Sequence, residues 1–272
     1  MTRLQTSVHD QALACLLCND VDQKIVCVRA LQQAWHAGAL SKQAAEPIRE
    51  IVVPGRPSRP ELVAPAQLAR RGLGTEQGRA AFIHAIAHIE FNAINLALDA
   101  VYRFRDLPDT FYTDWLKVAE EEAQHFSLLR QRLREMNQEY GDFSAHNGLW
   151  EMTVKTAHDP LVRMALVPRV LEARGLDVTP GMIERLQSAG DTRTVEILDI
   201  ILRDEIGHVS IGSHWYHYFC DQRGLDRDGT FKKLVMQYMN QPLRGPFHTA
   251  ARLQAGFTMR ELEQLTGVDK YE

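Results

Sequence analysis

The sequence lacks three features that would assign it to a specialised class: abundant cysteine, an uncharged apolar run and an excess of basic residues. With 45% hydrophobic and 24% charged residues over 272 positions, it is typical of a folded globular protein rather than a disordered one. Its formal net charge of −4 argues against a general affinity for nucleic acid or an anionic membrane. The most apolar stretch, 80–98, contains Glu90 and two histidines, so we expect no membrane-spanning helix.

Neither a secretory signal nor a disulfide framework is evident. The first residues, MTRLQTSVHDQ, show no basic segment followed by an apolar one, which predicts a cytoplasmic protein. The four cysteines are too few and too clustered for a disulfide scaffold. Cys15 and Cys18 form a C-x-x-C in an apolar helical stretch, but no second pair completes a zinc site, so we interpret them as buried thiols.

Alternation of period two is also scarce, whereas helical patterns are abundant, and the sequence therefore predicts an all-α protein. We expect an N-terminal helical region at 1–53, a proline-rich linker at 54–77, a four-helix bundle at 78–222 and a C-terminal helical tail at 223–272 that packs on the bundle. The four long helices are predicted at about 79–104, 110–137, 160–175 and 192–220, and a short one at 147–157.

Helix boundaries can be placed at several residues. Asp159 and Pro160 are typical of an N-cap followed by proline at the first helical position. Gly141 and Gly175 are placed at helix ends. Pro168 interrupts the third long pattern, which predicts a kink or a helix restart there.

A repeated spacing of glutamate and histidine is the most informative pattern. Glu-x-x-His occurs at Glu122–His125 and again at Glu205–His208, and residues three apart share one face of a helix. Glu90 precedes Glu122 by 32 residues, and Glu172 precedes Glu205 by 33. Two such hairpins packed as a bundle would bring four glutamates and two histidines together. This is the ligand pattern of di-iron and di-manganese carboxylate proteins.

The position of Glu90 supports a buried site. It is the only formally charged residue between Arg79 and Asp99, and on a helical wheel it falls on the apolar stripe. An isolated buried carboxylate is costly, and a metal cation removes that cost. His88 lies about 200° from Glu90 around the helix, so it is not expected to be a ligand. By the same test His84, His214 and His217 are excluded.

An acidic residue precedes each Glu-x-x-His pair, and a ligating histidine usually donates its second N–H to a carboxylate or carbonyl. We therefore expect Asp204 to orient His125 and Glu121 to orient His208. A solvated surface acid is the alternative for both. Gly207 and Gly212 either open space beside the metals or allow close helix packing.

Four segments carry a family resemblance: HAIAHIEFNAINLALDAVYRF, EEAQHF, VPRVLEARGLDVTPGM and RDEIGHVSIGSHW. They resemble the signatures of a bacterial ferritin-like family catalogued as a domain of unknown function, and the resemblance covers most of 61–258. It implies a ferritin-like four-helix core with a dinuclear site formed by six ligands: Glu90, Glu122, His125, Glu172, Glu205 and His208. It implies no substrate.

Carboxylate and imidazole ligands favour two iron ions, with manganese or a mixed iron–manganese pair as the alternative. The leading hypothesis is an oxidoreductase that uses O₂ to oxidise or hydroxylate a small organic molecule, with an external electron donor. A ferritin-like iron-handling protein with ferroxidase activity and a ferritin-like RNA-modifying hydroxylase are the alternatives, and the acidic charge disfavours the second. We expect a monomer or homodimer.

Overall fold

The computed structural model of the chain describes residues 6–44, 46–68, 72–239, 243 and 245–266. These residues form helices and loops, with only isolated bridges between extended segments, which confirms an all-α fold. The chain divides into two compact units, Met1–Val154 and Lys155–Glu272. This division falls inside the region 78–222, which the sequence assigns to one bundle. The limits of the four predicted segments stay predictions.

The first unit contains the first helical hairpin and the N-terminal helices. Its helices are α1 (Val8–Leu16), α2 (Val21–His36), α3 (Glu76–Arg103), α4 (Asp109–Glu135) and α5 (Gly148–Lys155), the last of which reaches the unit boundary. α3 and α4 pack along each other, α1 packs on α3, and α2 packs on α4. The N-terminal helices therefore brace the hairpin within one unit.

The second unit contains the second hairpin and the C-terminal tail. Its helices are α6 (Pro160–Leu166), α7 (Ala173–Ser188), α8 (Thr192–Gln222), α9 (Arg227–Tyr238), α10 (Thr249–Gln254) and α11 (Met259–Thr266). A π-helical segment, Val167–Glu172, joins α6 to α7. α6, α7 and the π-helical segment all pack against α8, and the tail helices pack on this group.

Polar side chains cap several of the helices, and the cap predicted at Asp159 is confirmed. Asp159 accepts a hydrogen bond from the Leu161 N–H at the start of α6, with Pro160 at the first helical position. Thr75 caps α3 through the Gly78 N–H, and Asp191 caps α8 through the Thr194 N–H. These caps satisfy N–H groups that have no partner inside the helix.

Neither glycine predicted at a helix end lies at one, since α4 already ends at Glu135, six residues before Gly141. The sequence ends the third long helix near Gly175, but α7 continues through Gly175 and Pro180 to Ser188. The interruption predicted at Pro168 is confirmed in a different form, because the backbone widens into the π-helical segment. A proline lacks the N–H that a regular helix needs, and a π-helical turn accommodates that loss.

One of the two cysteines that the sequence predicts to be buried thiols is oxidised in the structure. Cys15 is not a free buried thiol, because it forms a disulfide with Cys27 that joins α1 to α2. Among the described residues, Cys18 and Cys220 are the free cysteines. The sequence separation of 12 gave no signal, since pairing requires two helices to place their Cα atoms 5.6 Å apart.

The proline-rich segment after α2 lies against the loop that follows α4. The Val63 N–H donates to the Ala145 carbonyl at 2.8 Å, and the Ala145 N–H donates to the Glu61 carbonyl at 3.0 Å.

α3 is long and apolar enough to cross a membrane by composition, but 78% of its most apolar window is buried, as in the core helix of a soluble protein.

Candidate metal centre

The first hairpin buries its three predicted ligands. Glu90 on α3 is 4% exposed, while Glu122 and His125 on α4 are completely buried. The two α4 residues are three apart and therefore share the face that packs against α3. The sequence prediction that Glu90 lies on the apolar stripe of its helix is confirmed.

The side chains of these three residues converge. His125 Nδ1 lies 3.1 Å from Glu90 Oε2 and 3.6 Å from Glu122 Oε2. One potential ligand atom from each residue lies within 4.8 Å of the others. A set of carboxylate oxygens and an imidazole nitrogen this close together can chelate a metal ion.

The electrostatics of this cluster favour a positive charge within it. Burial by itself would lower the pKa of His125, but its hydrogen bonds with Glu122 and Glu90 prevail and raise the pKa to about 11. The imidazolium thus neutralises part of the charge of two buried carboxylates. A metal ion would replace that proton, since imidazole must be neutral to ligate.

The donor set fits the expected metals. Glutamate oxygen and imidazole nitrogen suit iron and manganese, whereas copper(I) and structural zinc sites draw on thiolates. The first unit therefore contains a buried Glu/His group that can hold a metal ion.

The second hairpin repeats part of the pattern. Glu205 and His208 on α8 are 9% and 0% exposed, and His208 Nδ1 lies 3.6 Å from Glu205 Oε1. Glu172 is the last residue of the π-helical segment and is partly exposed. That segment approaches α8 closely, since a Cβ at Gly212 would lie 2.3 Å from Pro168 Cβ. Close packing is therefore the role of Gly212, while Gly207 has open space beside it.

The two carboxylates expected to orient the histidines have contacts of their own. Asp204 accepts a hydrogen bond from Arg203 Nε at 2.9 Å, and its side chain is 20% exposed. Glu121 pairs with Lys117 at 2.6 Å and is 22% exposed. The proposed pairings of Asp204 with His125 and of Glu121 with His208 stay predictions.

The histidines that the sequence excludes as ligands have other partners. His88 Nδ1 lies 2.8 Å from the Tyr140 hydroxyl, and its Nε2 lies 3.1 Å from the His146 carbonyl. The Gly141 N–H donates to His84 Nε2. Burial lowers the pKa of both imidazoles to about 4, so they are neutral. His214 and His217 contact Trp215 and Tyr216 respectively.

Sequence reasoning did not identify the partners of several buried cations. Lys24 on α2 is fully buried and donates to the Cys15 and Leu16 carbonyls and to Asn95 Oδ1. Arg169 is fully buried against Glu261, which is 92 residues further along the chain. A charged residue in an apolar helical pattern was the available signal for each, but its partner could not be read from the pattern.

The fold and the cluster define an all-helical protein with a buried Glu/His group able to hold a metal ion. The chain belongs to the family described as "Protein of unknown function (DUF455)", whose family model matches residues 17–263. A protein of Haemophilus influenzae (strain ATCC 51907 / DSM 11121 / KW20 / Rd), described as "Uncharacterized protein", is 53% identical over 221 residues, which are 79% of this chain and 77% of that protein. No solved structure matches the chain.

Proposed function

We propose that this protein is a non-haem dinuclear metalloenzyme that uses O₂ to oxidise or hydroxylate a small organic substrate. The observation that carries the proposal is the buried convergence of Glu90, Glu122 and His125. The repeated spacing adds Glu172, Glu205 and His208 as the second half of a six-ligand set. Iron is the metal proposed, with manganese or a mixed pair as the alternative.

The residues of the site would provide ligand charge and a dry environment. Four carboxylates would balance the full charge of two divalent cations, and the two neutral imidazoles would complete the coordination. The surrounding apolar side chains exclude water, which protects reactive intermediates from side reactions. Reduced iron held there would supply electrons to O₂.

The overall reaction sets what else the protein needs. Hydroxylation inserts one oxygen atom of O₂ into a C–H bond and reduces the other atom to water. That reduction consumes two electrons and two protons beyond the pair taken from the substrate. We therefore propose an external electron-transfer protein as donor, and a monomer or homodimer as the working unit.

Metal stoichiometry provides the first test. Anaerobic equilibrium dialysis against Fe(II) should give two tightly bound ions per chain for the parent protein. Glu122→Ala and Glu205→Ala should each lower the affinity of at least one site by more than about 100-fold, because each removes a direct ligand. Glu135→Ala on α4 and Glu196→Ala on α8 are matched controls, since both residues are exposed and pair with nearby arginines.

Reaction with O₂ separates an oxygenase from an iron-storage protein. When O₂ is added to protein loaded with excess Fe(II), an oxygenase should oxidise its two bound ions and stop. Continued oxidation of many ions per chain into a mineral would support the ferroxidase alternative. If the parent binds no metal, or if all four alanine variants behave like the parent, the proposal is wrong.

A further inference from the structure

Two buried arginine–carboxylate pairs flank the stretch of chain that carries Glu172. Three residues before it, Arg169 Nη2 donates to Glu261 Oε1 at 2.7 Å and to Oε2 at 2.9 Å. Five residues after it, Asp177 accepts from Arg252 Nε at 2.9 Å and from Nη2 at 2.7 Å. Glu261 lies on α11 and Arg252 on α10, so the C-terminal tail supplies one partner of each pair.

The first of these pairs lies in an aromatic cage. The Arg169 guanidinium is 4.6 Å from the ring centroid of Tyr216 and 4.4 Å from those of Phe231 and Phe257. Both charged side chains are 0% exposed. A bidentate pair that is buried in this way permits little change in geometry, because any displacement leaves an uncompensated charge in an apolar environment.

Contacts with α8 fix the same segment from another side. Arg169 Nε donates to Ser213 Oγ at 3.2 Å. Pro168 packs against Gly212, where no Cβ would fit. α8 also carries Glu205 and His208, so these contacts set the distance between the π-helical segment and the helix of the Glu-x-x-His pair.

A π-helical segment needs such support more than a regular helix does. π-helical turns are rare, occur mostly as single turns inside α-helices, and are frequently found at functional sites. Pro168 contributes no backbone N–H to the segment. The conformation that presents Glu172 is therefore decided by tertiary contacts, in contrast to Glu90, which lies in the middle of an unbroken α-helix.

We propose that α10 and α11 act as a clamp that positions Glu172 for metal binding, with Arg169, Asp177, Arg252 and Glu261 as positioning residues. This inference rests on the proposed function, because it requires Glu172 to be a ligand. The C-terminal tail would then contribute to metal binding without providing a ligand. Metal affinity at the ligands of the second hairpin, Glu172, Glu205 and His208, would depend on residues that do not touch the metal.

Linkage makes the proposal testable on the unmodified protein. If the tail stabilises the metal-binding position of Glu172, metal binding must stabilise the tail by the same factor. Hydrogen exchange of the α10 and α11 amides should slow at least fivefold when the parent is saturated with Mn(II). In Glu172→Gln the exchange of the same amides should not slow, although Glu90, Glu122 and His125 remain able to bind metal.

A variant of the clamp gives the second test. Glu261→Gln should keep the helical circular dichroism of the parent and lose 10- to 100-fold in Mn(II) affinity at one of two sites, a range typical of residues that support metal ligands. Glu184→Gln, an exposed residue of α7, makes the same chemical change as a control and should match the parent.

The outcomes separate this inference from the proposed function. A parent that binds no Mn(II) would overturn both. A parent that binds two ions, with unchanged tail exchange or with an unchanged affinity in Glu261→Gln, would overturn the clamp alone. If Glu261→Gln does not fold, the exchange measurement on the parent decides.

Discussion

The two hairpins place their lone glutamates on different kinds of backbone. Glu90 lies within the 28-residue helix α3, whereas Glu172 ends a π-helical segment of 6 residues that starts beside Pro168. The first position follows from regular helix geometry. The second depends on contacts from elsewhere in the fold, so a repeated sequence pattern does not imply a repeated structural mechanism.

The buried cations beside the two hairpins differ in the charge of the groups to which they hydrogen-bond. Lys24 hydrogen-bonds two carbonyls and an amide oxygen, and none of these acceptors is charged. Arg169 and Arg252 each have a carboxylate partner. An ammonium group that is buried among neutral acceptors keeps much of its desolvation cost, while a paired guanidinium recovers part of it.

The largest expected effect is a pH dependence that belongs to the first unit. Burial lowers the pKa of Lys24 to about 7 from 10.5 in the unfolded chain. Between these values the unfolded state binds the extra proton, so the free energy of unfolding should rise with pH by up to about 1.4 kcal/mol per unit. Over the whole interval the rise amounts to about 5 kcal/mol. Urea unfolding from pH 7.5 to 9 should show about 2 kcal/mol of this rise, and Lys24→Met should remove it.

The control for this effect is Lys233→Met, which changes an exposed lysine of α9 and should keep the parent's slope. Parallel stability curves for the parent and Lys24→Met would contradict the assignment. Such a result would mean that Lys24 does not make the stability of the first hairpin depend on pH, so this difference from the ion-paired arginines of the second hairpin would be lost.

Reduction of the disulfide should affect the first unit next most strongly. The Cys15–Cys27 bond closes a short loop, and loss of a crosslink of this length lowers the free energy of unfolding by about 3 kcal/mol. Urea unfolding with and without reductant measures the loss. Cys27→Ser should abolish the sensitivity to reductant, whereas Cys18→Ser should keep it. Four reactive thiols in unfolded, unreduced protein would show that the bond does not form.

Two glycines on α8 test how closely the π-helical segment packs on that helix in the second hairpin. Gly212→Ala should lower the free energy of unfolding by about 1–3 kcal/mol, because its Cβ overlaps Pro168. Gly207→Ala has nothing within 4 Å and should raise stability by up to about 1 kcal/mol through helix propensity. Equal effects in urea titrations would mean that Pro168 does not approach α8 closely.

The smallest expected effect concerns the histidine-orienting carboxylates. Asp204→Asn should weaken Mn(II) binding about tenfold if Asp204 orients His125. Glu121→Gln should change it less, since Glu121 is engaged with Lys117 on a partly exposed face. Equilibrium dialysis of both variants tests the pair of predictions. An unchanged affinity in Asp204→Asn would mark it as a surface acid.

Much of the helical layout could be predicted from local signals. The cap at Asp159 and the uncharged stripe around Glu90 were predicted correctly, because both depend on neighbours within a few residues. The end of α7 could not be predicted, because Gly175 in its first turn and Pro180 in its interior are typical of a helix stop. There, tertiary packing against α8 outweighs local propensity.

Helical periodicity and the Glu-x-x-His spacing are local properties of the chain, so the helical fold and the six candidate ligands could be predicted from the residues alone. The long-range contacts could not be read in this way: Cys15 pairs with Cys27, Lys24 is buried without a charged acceptor, and Glu261 and Arg252 pair with Arg169 and Asp177. These contacts join residues separated by 12 to 92 positions, and no local pattern records which distant side chains will meet.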